Sequence, residues 1–134
     1  MKIRVQTKKT MSKLIDEDKT YAIIGACMEV HRHLGHGLKE TVYQDALEIE
    51  LSLRNISYER EKKYEVIYKG RVLPHYFVAD FVCFGNIILE LKAVGELHQE
   101  HQKQTLNYMA IAKSKIGLLV NFGQKSLIHR RFIL

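Results

Sequence analysis

Ile87-Ile88-Leu89-Glu90-Leu91-Lys92-Ala93 is the stretch on which the reading of the fold turns. Its length and branched residues predict a short central strand buried on both faces, the kind that helices cover from either side. Strand side chains alternate, so Glu90 and Lys92 fall on the same face as Ile88. Unpaired charge in such a place is costly, and a buried carboxylate or ammonium normally pairs or holds a metal. From this strand alone, a Glu90–Lys92 ion pair or a strand end reaching water would meet the requirement.

The preceding strand adds a second acid. Tyr76-Phe77-Val78-Ala79-Asp80-Phe81-Val82-Cys83-Phe84 is apolar except for Asp80, and Gly85-Asn86 then supplies a short turn that makes the two strands neighbours. A hairpin of this kind can bring Asp80 close to Glu90. Two adjacent carboxylates repel, which a divalent cation relieves. Oxygen ligands suit Mg²⁺ or Mn²⁺, and Lys92 beside them could orient a water or stabilise charge on a phosphate.

Working outward, residues 1–18 read as a polar, charged lead-in and residues 19–134 as one domain. Thr20 is placed to cap a helix with Tyr21, Ile24, Cys27, Met28 and His31 at three–four spacing. Gly35 and Gly37 break it. A second helix follows over about Leu38 to Arg54, its apolar positions being Leu38, Val42, Ala46, Ile49 and Leu53, with Asn55 as the stop. Lys69-Gly70 sits where a tight hairpin turn needs positive φ, between a strand at residues 58–68 and one at about 71–84. A third helix is expected from about Leu97 to Lys113, a strand at 116–122, and a last strand within 126–134. The order α-α-β-β-β-α-β-(β) is that of a mixed α/β domain.

Two helices offer further polar groups. At about 100° per residue, Glu40 lies on the flank of the second helix beside Tyr43, Leu47 and Leu51, where an acid in the first turn is also favoured by the helix dipole. In the third helix Leu97, His101, Gln104, Tyr108 and Ile111 share a face. Gln104 and Tyr108 can serve there as hydrogen bonders at the edge of the core, or can hold a backbone phosphate or a water.

Composition narrows the classes. The chain has 134 residues, 46% apolar and 27% charged, an ordinary globular balance. No run approaches the roughly 18 apolar residues of a membrane span. The N-terminal stretch lacks the apolar segment of a secretory signal, and two cysteines make no disulfide framework, so a reducing cytoplasm is the expected setting. The net charge of +6 is uneven: residues 69–134 carry nine bases and four acids, and from Lys113 onward there are five bases and no acid. A basic end of this kind suits a polyanion, although it also makes an ordinary soluble surface.

These residues resemble a known family. Gly37-Leu38-Lys39-Glu40-Thr41-Val42-Tyr43 matches the signature of the GxxExxY proteins of the PD-(D/E)XK nuclease superfamily. The likeness covers about residues 20–134 and includes Ile24-Gly25-Ala26, Glu29-Val30-His31, Glu90-Leu91-Lys92-Ala93 and Asn121-Phe122-Gly123. Asp80 with Glu90-x-Lys92 looks like the catalytic core of that superfamily, and Gln104-x-x-x-Tyr108 like the helix motif of its exonuclease-related branch. The resemblance implies a restriction-endonuclease-like core, a mixed central sheet flanked by helices. It also implies that Asp80 and Glu90 hold Mg²⁺ with help from the Leu91 carbonyl, that Glu40 is a further acid, and that Lys92 positions the attacking water. Three positions depart from the pattern: Ala79 replaces the namesake Pro, His36 stands for a Pro between the two glycines, and Val78 replaces a basic residue.

The expected activity is a Mg²⁺- or Mn²⁺-dependent phosphodiesterase acting on DNA or RNA. The competing reading keeps the fold as a nucleic-acid-binding or protein-interaction module without cleavage. A second copy of the chain would widen the grip of so small a domain on a duplex, so a homodimer stands as an option, and no membrane partner is expected. The histidine groups 31, 33, 36 and 98, 101 match no strong zinc spacing, Cys83 reads as core rather than nucleophile, and no phosphate-cradling glycine motif occurs. Tyr58, Tyr64 and Tyr68, interleaved with Arg60, Lys62 and Lys63, read as a hairpin edge guarded by charge, with single-strand stacking as the alternative.

Overall fold

A two-residue turn at Lys69-Gly70, both at positive φ (47° and 75°), folds strand β1 (Tyr58–Tyr68) back on β2 (Arg71–Cys83). In this computed structural model the backbone is described for residues 2–134 and the side chains for residues 16–134. The remaining elements are α1 (Lys2–Leu34), α2 (Glu40–Leu53), β3 (Ile87–Lys92), α3 (Gln99–Ala112), β4 (Ile116–Asn121) and β5 (Ile128–Ile133). The five strands form one sheet in the order β1-β2-β3-β4-β5. Only β3 and β4 are parallel, with α3 as the crossover between them, and every other pair is antiparallel. This is the mixed α/β, restriction-endonuclease-like architecture, with the element order expected from the sequence.

The sheet is covered from both sides, which is why its centre is apolar throughout. Ile87, Leu89 and Leu91 of β3 join Leu118 and Val120 of β4 in a core with α1 and α2. Ile88 faces the other way and packs with Met109 of α3. Contact there is close: a Cβ on Gly117 of β4 would lie 2.4 Å from the Met109 sulfur. All of β4 and all of β3 except Lys92 are buried.

Helix boundaries and faces depart from expectation in instructive places. Thr20 does not cap α1, which begins at Lys2; its hydroxyl donates to the Glu17 carbonyl, one turn back within the helix. Tyr21 and Met28 are exposed, and the buried positions are Ile23, Ile24, Ala26, Cys27, Val30 and His31. In α2 the stripe Leu38, Val42, Ile49 and Leu53 is likewise exposed, while Tyr43, Gln44, Leu47 and Leu51 are buried. In α1 the expected positions Ile24, Cys27 and His31 are buried, and only Tyr21 and Met28 fall outside the face. By contrast α2 carries two apolar stripes, and packing chose the one that continues into the sheet core. The turn after β2 is centred on Phe84-Gly85 (φ 55° and 79°), one residue earlier than expected, closed by the Asn86 N–H donating to the Cys83 carbonyl.

Candidate functional site

The ladder between β2 and β3 stops early. Its last register pair is Phe81 with Leu89. Beyond it the next inward-facing amide of β3, Leu91 N–H, donates to Asp80 Oδ2 at 2.8 Å. A side-chain carboxylate thus stands where a main-chain carbonyl would be, and the strands part at that point. The other oxygen, Oδ1, accepts from Gln44 Nε2 of α2 at 3.2 Å.

The parting has a cause in β1. Arg60 and its cross-strand partner Phe81 lie on the α2 side of the sheet, Arg60 being bonded to Asp45 (2.7 Å) and Glu48 (3.0 Å). Four residues farther along each strand, Tyr64 and its partner Phe77 lie on the α3 side, with Phe77 stacked on Tyr108 at 4.0 Å. Regular alternation would keep residues four apart on one face. It reverses between them, where Glu61 sits in the left-handed region at φ 56° and Glu61–Asp80 is missing from the ladder. Held strain in a non-glycine residue of this kind clusters at functional sites.

Glu90 lies next to Asp80 and is buried, with its Oε1 lacking any hydrogen-bond partner. Burial, followed by the charge of Asp80, pushes its carboxyl well above the usual carboxylate range, partly offset by Lys92. Glu40 opens α2 and is half-buried; burial and then Asp80 raise its carboxyl too, and Lys92 again opposes the shift. Tyr108 is raised by burial and by the Glu90 charge, and its hydroxyl accepts from Gln104 Nε2 at 2.9 Å. Asp80, Glu90, Lys92 and Glu40 therefore form one electrostatic cluster, Tyr108 borders it, and Gln104 is bonded to Tyr108. Gln104 is exposed, so the Gln104–Tyr108 pair stands at the rim of the cluster.

The acids and the Leu91 backbone offer hard oxygen donors of the type a divalent cation takes. The orphaned Glu90 oxygen beside a second carboxylate is the observation that fits such an ion, since a positive charge there would satisfy both. Among the described residues, no group of three or more His, Cys, Asp or Glu side chains stands ready as a metal cage.

Two residues hold the site in ways the sequence did not show: Gln44 was not singled out, and Asn121 entered only as part of the family resemblance. Gln44 is one turn after Glu40 on the same helix face, a spacing that could have marked it. Its carbonyl also meets Arg60 Nη2 at 3.5 Å, linking Asp80 to the Arg60 ion pairs. The second is Asn121 at the end of β4, fully buried. It accepts from the Val94 and Gly123 amides (3.0 and 3.1 Å) and donates to the Val94 carbonyl (2.9 Å). This ties down the chain just after Lys92. A Cβ on Gly123 would fall 2.2 Å from the Val94 carbonyl oxygen, so only glycine fits there.

The Gly37–Tyr43 segment has its own logic. Gly35 and Gly37 take positive φ (72° and 98°), and the Tyr43 hydroxyl closes the turn by donating to the Gly35 carbonyl (2.7 Å) and accepting from Leu38 N–H (3.2 Å). The Tyr43 ring stacks on Phe122 at 4.7 Å. The tyrosine anchors the helix start, and the helix start delivers Glu40. The histidines serve packing and capping: His31 Nε2 donates to the Gln124 carbonyl at 2.9 Å, and His101 Nδ1 accepts the His98 amide at 3.1 Å. Of the tyrosines in β1, Tyr58 donates to Glu48 and Tyr64 is stacked inward on Phe77, so neither is free to stack on a ligand.

Comparison with known proteins gives the family. The family model of the PD-(D/E)XK nuclease superfamily matches residues 17–132, and the chain belongs to that superfamily. A search of curated proteins gave no match. Among solved structures, the crystal structure of SSO0001 is similar over 85% of this chain and 76% of its own, at 16% identity and a TM-score of 0.46. Among the described residues no helix is long and apolar enough to cross a membrane.

Proposed function

From membership of this superfamily and the arrangement of its polar cluster, we propose that the protein is a divalent-metal-dependent nuclease that hydrolyses phosphodiester bonds in DNA or RNA. The single observation that carries the proposal is the buried, partnerless Glu90 oxygen beside Asp80 at the break in the sheet. We assign the chain to the GxxExxY group on the structural parts played by Gly37, Glu40 and Tyr43.

In this reading Asp80, Glu90 and the Leu91 carbonyl hold the cation, Mg²⁺ or Mn²⁺, with Glu40 as a further acid. The ion would supply positive charge against the oxygens of the scissile phosphate. Lys92, at the end of β3 beside both acids, donates hydrogen bonds that orient the attacking water. Tyr108 and Gln104 stand at the rim as donors to a phosphate oxygen. Gln44 and the Leu91 amide fix both oxygens of Asp80, so the carboxylate is aligned before substrate arrives.

The test begins with metal. Calorimetric titration of Mn²⁺ should give saturable binding by the wild type that Asp80→Asn loses, repeated with an oligonucleotide present in case the phosphate completes the site. Cleavage of a mixed DNA and RNA panel should disappear in Asp80→Ala and Glu90→Ala with the fold retained by circular dichroism. Retained cleavage in both variants overturns the assignment.

A second reading is favoured by one observation, the lack of a ready-made metal cage among the described residues. It is a nucleic-acid-binding module without cleavage, for which binding would survive EDTA, fall steeply with salt, and be indifferent to Asp80→Asn.

A further inference from the structure

Capping accounts for only one nitrogen of His101. Its Nδ1 accepts the His98 amide at 3.1 Å, and the His98 side chain accepts the His101 amide in return, so the two rings hold each other at the start of α3. A neutral ring that accepts at Nδ1 carries its proton on Nε2. Burial, then the charges of Lys92 and His98, hold the imidazole below its ordinary value, with Glu100 opposing. At neutral pH the ring is therefore uncharged and Nε2 is a donor. That nitrogen bonds no described residue, and the side chain is partly exposed.

The helix sets this donor in line with the rim of the site. His101 precedes Gln104 by three residues and Tyr108 by seven, nearly two full turns, so the three share one face of α3. Glu90 and Asp80 act on the Tyr108 end of that face, and Lys92 acts on the His101 end. The face thus runs from the two acids to the lysine. Its ends lie about 10 Å apart along the helix axis, more than a single phosphate spans. Among the described residues, the one acid that acts on His101 is its sequence neighbour Glu100, whereas the acids of the cluster do not. A neutral N–H beside a cation suits an anionic oxygen. An anion that repeats along its length uses both ends of the face, and a phosphodiester backbone is of that kind.

We infer that His101 Nε2–H donates to a backbone phosphate of the nucleic acid flanking the scissile one, extending the rim of Gln104 and Tyr108 past Lys92. The inference rests on the nuclease reading for the identity of the anion, yet it is measured as binding, without cleavage. His101 then has two duties on two nitrogens: Nδ1 fixes the ring, and Nε2 meets the strand.

Two substitutions separate the contact from the cap. His101→Asn puts an acceptor where Nδ1 stood and removes the Nε2 donor, whereas His101→Gln puts an amide donor close to the Nε2 position. Fluorescence anisotropy in EDTA at neutral pH, with labelled DNA and RNA single strands and duplexes, is the measurement. His101→Asn should weaken the tightest complex roughly tenfold, the scale of one hydrogen bond to a charged group. His101→Gln should restore most of it. The melting temperature of His101→Asn should match wild type, and its salt slope should be unchanged, because an uncharged donor releases no counterion. In cleavage the loss should lie in KM, with kcat kept.

His101→Asn binding as tightly as wild type leaves the residue a cap and overturns the inference. Affinities that follow melting temperature across the Asn, Gln and Ala variants, and not the presence of the donor, do the same. A flatter salt slope in His101→Asn would make the ring a cation, a lost Mn²⁺ titration would make it a metal ligand, and a fall confined to kcat would put it on the reacting phosphate; each contradicts the assignment. If no nucleic acid binds, this inference falls while the Mn²⁺ titration of the wild type still decides the nuclease reading.

Discussion

Glu90 sets the pH behaviour of the metal-free protein. Its carboxyl is raised in the folded state, first by burial and then by Asp80, above the ordinary value near 4.5 that it regains on unfolding. The unfolded chain therefore releases this proton first, and the contribution of Glu90 to stability, complete below about pH 4.5, is lost as pH rises through the raised folded value. In EDTA the melting temperature should fall across that interval in wild type and fall less in Glu90→Gln. Added Mg²⁺ should counter the decline, because the cation replaces the proton. A second expectation concerns Gln44, whose amide holds Asp80 Oδ1. Gln44→Leu should lower kcat roughly tenfold with little change in KM, the scale of one hydrogen bond to a charged group. A fall confined to KM would show that Gln44 serves substrate binding instead. Asp80, Glu90 and Lys92 were legible as residues because charge inside an apolar strand demands an explanation. Gln44 was not, because a neutral amide on a helix flank raises no such demand.

At the scale of elements, the hairpin β1–β2 is held in its reversed form by one residue with the wrong backbone preference. Glu61 in the left-handed region costs about 1–2 kcal/mol relative to ordinary strand geometry. Glu61→Gly should therefore keep or raise the melting temperature, while Glu61→Val should lower stability by at least about 1 kcal/mol and disorder the site, read by thermal melts and Mn²⁺ titration together. The strands themselves were readable from periodicity and turn chemistry, and Lys69-Gly70 behaves as its composition demands. The reversal was hidden because Glu61 lies in a run, Glu59-Arg60-Glu61-Lys62-Lys63, whose alternation is polar on every position and so carries no face. The face of α2 was misjudged for the opposite reason. Two apolar stripes compete there, and only the position of the sheet decides between them.

For the whole molecule, β3 and β4 are the fixed centre and the site is a feature of one margin of that centre. The parallel pair is buried except at Lys92, closed by Asn121 across to Val94, and packed at Gly117 against the Met109 side chain. Gly123 follows at a point where the backbone leaves no room for a side chain. The sequence made the layers legible, since apolar strands of this kind need helices on both sides. It could not show that α1 extends from Lys2, because the charged residues before Thr20 have no apolar period to reveal a helix.

The amide of Leu91 gives this margin a built-in reporter. It donates to a carboxylate of the site, in the slot where the strand ladder would otherwise place a carbonyl. In a ¹⁵N-resolved spectrum that one resonance should move, and its exchange with solvent deuterium should slow or quicken, whenever the charge on Asp80 changes. Occupancy of the site can then be followed through a backbone signal, before any substrate has been found.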